Sequence, residues 1–227
     1  MASSQSRLAE LANVVAVHTQ RIDSYLCEKA LPHPSFAADS PVDLGLPPEL
    51  EQSRIPVLEA SKELNDLLQG PKDLLFNHHH NQLVPLRLIS QFDLANEVPA
   101  NGEIRFGDLA AKIGVDCAAL TRILRLGIAH RVFSEPRPGV ITHSAVSKLI
   151  ADDSRVAEWL GANVDDMWPS AEKTVEALVK WPLATEPNQT GFSLANDTAD
   201  SFYIELEKNP ERARRFGGAM SFLTTGE

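Results

Sequence analysis

Apolar residues along this chain recur at intervals of three and four far more often than at two, the spacing of amphipathic helices rather than of half-buried strands. Leu8, Leu11, Val15, His18, Ile22 and Tyr25 form one such stripe. It is narrow enough to be a helix–helix seam, and periodicity leaves open whether its partner lies in this chain or in another subunit. Between Leu31 and Pro56 stand Pro32, Pro34, Pro41, Pro47, Pro48 and Pro56. Each removes an amide donor, which predicts a connector, an arm that wraps over a surface. Val57, Ala60, Leu64, Leu67 and Leu68 predict a second helix closed by Gly70-Pro71. A third is expected from about Leu74 to Asn96, with Pro85 kinking it.

The stretch 102–150 is the most structured in its signals. Ile104-Arg105-Phe106 reads as a short strand, and Gly107 to Val115 as a short helix ended by Gly114. Asp116 is placed to cap a helix whose core face is Leu120, Ile123 and Leu124, with Gly127 near its end. Arg131 to Ser134 and Gly139 to Thr142 flank Glu135-Pro136-Arg137-Pro138, a strand, turn, strand pattern. Helix, turn, helix and hairpin in this order describe a winged helix. Beyond it, Val156 to Trp168 predicts two helices broken at Pro169, and Ala171 to Trp181 continues helically to Pro182. Residues 183–199 read as irregular, and two last helices cover Asp200 to Lys208 and Pro210 to Leu223, with Pro210 suited to a first turn.

Composition narrows the picture. With 43% apolar and only 6% aromatic residues, the fold class is mainly α with a small β-hairpin. The net charge of −10 disfavours general binding to nucleic acid or to an anionic membrane. Only residues 101–150 are mildly basic, and the helix that would enter a DNA groove offers just Arg122 and Arg125. Cys27 and Cys117 are too few for a disulfide framework or a cysteine-based zinc site, which suits a reducing cytosol, and no apolar run of about 20 residues is present. The expectation is a cytoplasmic protein with no bound metal. His78-His79-His80 fan about 100° apart on a helix, with no further ligand three or four residues on, and are not expected to bind one.

Candidate chemistry is sparse. There is no Gly-x-Ser-x-Gly elbow, no dinucleotide fingerprint and no phosphate loop. His143, after the second wing strand, is placed either for a local structural hydrogen bond or for proton exchange. Met167, Trp168, Phe216 and Met220 are of the types that line a flat apolar pocket, or equally a core.

Leu124-Arg125-Leu126-Gly127-Ile128-Ala129-His130-Arg131-Val132-Phe133, Gly139 to Ser147, the helical pair around Trp159 and Trp168, and Phe216-Gly217-Gly218-Ala219-Met220 together resemble the N-terminal half of fungal O-methyltransferases of secondary metabolism, over nearly the whole chain. The resemblance implies a helical dimerisation arm over 1–100, a winged helix over 101–150, and a helical substrate-lid and linker region over 151–227. A Rossmann-like catalytic domain would follow and bind S-adenosylmethionine outside these residues. It further implies a homodimer through the N-terminal helices, an aromatic or polyketide-like small-molecule substrate, and a fragment inactive alone. Met167, Trp168, Phe216 and Met220 would line the acceptor site. Gly217 stands where plant members have Asn, which leaves no polar side chain there. Two alternatives accompany this reading. One is a methyltransferase-like pericyclase that does not methylate, in which His143 donates a hydrogen bond to a substrate carbonyl; the other is a free-standing winged-helix regulator.

Overall fold

A computed structural model describes residues 6–77 and 80–224. It divides into two compact units, the described parts of Met1–Ser35 with Asp39–His80, and of Phe36–Ala38 with Asn81–Glu227.

The first unit is two packed helices, α1 (Arg7–Glu28) and α2 (Pro48–Phe76). Ser6 caps α1 by accepting from the Ala9 amide, and Leu11 and Leu26 are its buried positions. The stripe thus has a partner within the chain. The proline connector is shorter than expected. Pro48 opens α2 at a position whose missing amide would have had no helical acceptor, and Pro56 is carried inside the helix. Gly70 does not end α2 but breaks it, with φ 69° and ψ 170°, and a further turn runs on to Phe76. The predicted third helix begins late, as α3 (Leu83–Gln91) followed by the single turn α4 (Leu94–Glu97). Pro85 falls in the first turn of α3, where it costs no hydrogen bond, and it therefore helps start the helix rather than kink it. His78 and His79 lie outside the described residues.

In the second unit, β1 (Ile104–Arg105), α5 (Phe106–Ile113), α6 (Cys117–Ala129), β2 (Phe133–Arg137) and β3 (Val140–His143) follow in the expected order. Gly114 closes α5 with φ 72°, and Asp116 accepts from the Ala119 amide at 2.8 Å. The sheet is antiparallel, ordered β1-β3-β2, with Ile104 opposite Ile141 and Phe133 opposite His143. Pro136 sits in β2, an edge strand, beside a register irregularity, the place where a sheet tolerates a missing donor. Glu135 ties the hairpin to α6. It receives Arg125 through two nitrogens at 2.9 and 2.7 Å and the Gly139 amide at 2.7 Å, and the Arg125 guanidinium holds its carboxyl below the usual range. One of the two arginines that the sequence offered to DNA is therefore engaged within the fold.

Helix α7 (Ala145–Asp152) opens with a capping box between Ser144 and Ser147. Next come α8 (Ser154–Ala162), α9 (Trp168–Glu172), α10 (Thr174–Lys180), α11 (Gly191–Ala195), α12 (Phe202–Lys208) and α13 (Pro210–Thr224). Two expectations change here. The helix does not break at Pro169. Asn163–Met167 forms a widened π turn, with the Trp168 amide reaching Asn163, immediately before a proline that cannot donate to the turn behind it. And 183–199 contains α11, capped by Thr190. The core joins Ile89, Leu94, Phe106, Leu109, Leu120, Leu124, Phe133, Ile141 and Leu160 from α3 to α8.

Candidate functional site

The widened turn matters because it presents Met167 and Asp166 to α11, α12 and α13. There, Ala162, Asp166, Met167, Ser170, Phe192, Phe202 and Phe216 line a cavity of about 220 Å³. Its walls are aromatic. Phe202 meets Phe192 edge-to-face at 5.0 Å and Phe216 at 4.9 Å, and Tyr203 stands 6.5 Å from Phe216. Such rings present both faces and edges to a planar guest.

The polar side of this cavity is a buried ion-pair cluster. The Asp166 carboxylate is 6% exposed. It accepts from Arg212 Nε at 2.7 Å and from Arg215 at 3.1 Å, while Arg215 also reaches Asp165 at 2.9 Å. The Arg212 guanidinium lies over the Phe192 ring, 4.9 Å from its centroid, so one arginine fixes both a charged and an aromatic wall. Arg215 Nε is buried with no hydrogen-bond partner among the described residues. The cluster holds α13 against the π turn, and Asp166 has its acceptor capacity taken up by cations. The hydroxyl in the lining, Ser170, donates to the Asp166 carbonyl.

Gly191 is a close-approach glycine. A Cβ there would collide with the Ser170 carbonyl and lie 3.0 Å from the Thr174 amide nitrogen, so α11 touches the α9–α10 junction backbone to backbone. That contact places Phe192.

The sequence-predicted residues are not all brought together. Met167 and Phe216 share the cavity. Trp168, one residue on, faces another groove of about 340 Å³ with Val84, Arg87, Leu88, Gln91, Phe92 and Ile123. Met220 is half-buried on α13, one turn beyond Phe216. Phe192, Phe202 and Asp166 were missed, because residues from three separate elements leave no periodic trace. A larger apolar cavity, about 320 Å³ between α3, α7 and α8, has Trp159 and Phe222 in its lining and carries Gln82 and His130 as its polar groups, 3.4 Å apart.

His143 is 7% exposed. Its Nε2 lies 3.1 Å from the Val98 carbonyl, which can only accept, so Nε2 carries the proton; Nδ1 lies 3.1 Å from Ser147 Oγ. Burial pushes its pKa down, opposed in part by the Val98 hydrogen bond. Both nitrogens are engaged in pinning β3 and α7 to Val98.

A methyl-donor cofactor does not fit the residues described. None of the three strands runs into a glycine-rich turn, and the positive-φ glycines Gly45, Gly70, Gly114 and Gly139 stand singly, in no cradle. No described helix is long and apolar enough to cross a membrane.

These features define a mainly helical unit with a small antiparallel sheet, the architecture of the N-terminal part of methyltransferases. Its fold is like that of OxaC in complex with SAH and oxaline, at a TM-score of 0.71 and 16% identity, covering 94% of this chain and 50% of that one. The chain is a homologue of fungal O-methyltransferases of secondary metabolism. It is 40% identical over 97% of its length to the grayanic acid biosynthesis cluster O-methyltransferase of Cladonia grayi, and 35% identical over its whole length to the O-methyltransferase gsfB of Penicillium aethiopicum. The chain spans 45% and 55% of these relatives, about half the length of each. No protein-family profile matches it.

Proposed function

We propose that these residues are the dimerisation and acceptor-binding part of an S-adenosylmethionine-dependent O-methyltransferase that acts on an aromatic or polyketide-like hydroxyl compound, with the cofactor bound outside them. The observation that carries the acceptor role is the aromatic cavity, in which Met167 on the π turn meets Phe192, Phe202 and Phe216. At about 220 Å³ it is smaller than the roughly 300–1,000 Å³ of drug-sized pockets, so it holds one ring of an acceptor rather than the whole. Its part in methyl transfer is to bind that ring, orient the hydroxyl and exclude water; the methyl group itself comes from the cofactor. The order of β1, α5, α6, β2 and β3 supports a winged helix here, used for packing.

The dimerisation role is supported by α2, on which Ile55, Leu58, Leu67, Leu68 and Leu74 are exposed, apolar side chains that association would remove from water. In this reading a second subunit covers them. Leu58→Glu with Leu68→Glu then yields a folded monomer by light scattering, and an unchanged dimer sinks the dimerisation role.

Calorimetric titration tests the division of labour. The chain should take up the single-ring phenol 3-methylphenol, lose that binding in Phe216→Ala, and give no heat with S-adenosylmethionine. Micromolar binding of the cofactor, or no binding of the phenol by the wild type, refutes the reading.

A further inference from the structure

The last turn of α1 and the loop behind it carry a cluster that the functional reading leaves unused. Asp23 and Cys27 are four residues apart and so share one face of the helix. The helix closes sharply: the Leu31 amide returns to the Leu26 carbonyl at 2.9 Å, and Ala30 takes a left-handed φ of 51°, a conformation an alanine adopts only at a cost. This turn brings His33 back over the Asp23–Cys27 face. Pro32 and Pro34 flank it and restrict its backbone before any ligand arrives. His33 Nε2 lies 3.6 Å from Cys27 Sγ, the pair already at ligand spacing, while Nδ1, on the other side of the ring, lies 3.4 Å from the Asp23 carboxylate; an ion held by Cys27 and Nε2 takes the Asp23 carboxylate after it leaves Nδ1. One donor atom from each of the three side chains lies within 4.8 Å of the other two.

We propose that Asp23, Cys27 and His33 bind a thiophilic divalent cation of the zinc type, with water in the fourth position. Metal–sulfur and metal–nitrogen bonds of about 2.3 and 2.0–2.1 Å at a tetrahedral angle set the two donor atoms about 3.5 Å apart, close to the separation already present. Sulfur, imidazole and carboxylate together suit a borderline ion and disfavour calcium or magnesium, which take oxygen alone. A thiolate and a carboxylate neutralise the charge of the ion. All three residues are exposed, so the ion enters without unfolding. Once bound, it clips the start of the proline arm to the end of α1. The sequence alone argued against metal because it counted cysteines; a site with one thiolate escapes that count, and its spacing, Asp-x3-Cys-x5-His, has no diagnostic value until the loop folds back.

The test is a Co²⁺ titration of the reduced chain, followed by near-ultraviolet thiolate-to-cobalt charge-transfer absorption. One equivalent should saturate it and Zn²⁺ should bleach it. Cys27→Ser should abolish the band, and His33→Ala and Asp23→Asn should each weaken binding by about tenfold or more, while Cys117→Ser leaves it unchanged. Circular dichroism checks that each variant keeps its helices. An absent or unsaturable band, a band that survives in Cys27→Ser or vanishes in Cys117→Ser, or affinity unmoved by His33→Ala overturns the proposal.

Discussion

Substituting Gly191 by alanine isolates the contact that builds the aromatic cavity. The added methyl would collide with the Ser170 carbonyl and sit 3.0 and 3.2 Å from Thr174 N and Lys173 C, where ordinary contact begins at 3.4 Å. All three obstacles are backbone, and the Ser170 carbonyl already accepts from Thr174 Oγ1 at 3.1 Å, so no side chain can swing aside. Helix α11 must retreat by about an ångström and take Phe192 with it. Overpacking of this kind costs about 1–3 kcal/mol, and the rigidity of the neighbours puts Gly191→Ala at the upper end, about 2–3 kcal/mol. With an m-value of about 2 kcal/mol/M, the urea midpoint should fall by about 1–1.5 M. Gly217→Ala is the matched control. Its Cβ meets nothing within 4 Å on the exposed side of α13, and relief of backbone entropy should stabilise by about 0.5–1 kcal/mol. If Gly191→Ala unfolds at the wild-type midpoint, or both glycine variants move together, the close approach of α11 is wrong.

Asp166→Ala leaves Arg212 and Arg215 facing each other without their shared anion. Loss of one partner from a buried pair costs about 3–5 kcal/mol, and the partial exposure of the arginines sets the expectation near 3; a loss under about 1 kcal/mol in urea denaturation would contradict it. Phe216→Ala removes two edge-to-face contacts at about 0.5–1.5 kcal/mol each together with the burial of a half-buried ring, about 2–4 kcal/mol in all, and a stability loss larger than about 5 kcal/mol would mean a structural role beyond the cavity wall. The lowered pKa of His143 makes stability pH-dependent in one direction. The unfolded chain, titrating near 6.5, binds the proton more readily than the native state, so stability is full above about pH 6.5, falls as pH drops, and levels off below the folded pKa. His143→Gln should flatten that slope in urea midpoints measured from about pH 5 to 8, and an identical slope in the variant would remove His143 as its origin.

Local chemistry made much of this chain legible. The cap at Asp116, the left-handed stop at Gly114 and the first-turn Pro210 each act through a residue and its immediate neighbours, and the structure places them where the spacing predicts. The hairpin forms, but its turn is Pro138-Gly139 rather than Glu135 to Pro138, because β2 runs on to Arg137 as an edge strand that tolerates Pro136. Prolines were legible as features but not in their consequence. Pro48 and Pro85 initiate helices, whereas Gly70-Pro71 bends one, because a missing amide costs nothing in a first turn and something only beyond it. The π turn at Asn163–Met167, the meeting of Phe192, Phe202 and Phe216, and the close approach of Gly191 to Ser170 were decided by tertiary packing. Each depends on which surfaces of separate elements touch. That is why Met167 and Trp168, adjacent in sequence, end in different cavities, and why Cys27 and His33, six residues apart, meet only through a left-handed turn at Ala30.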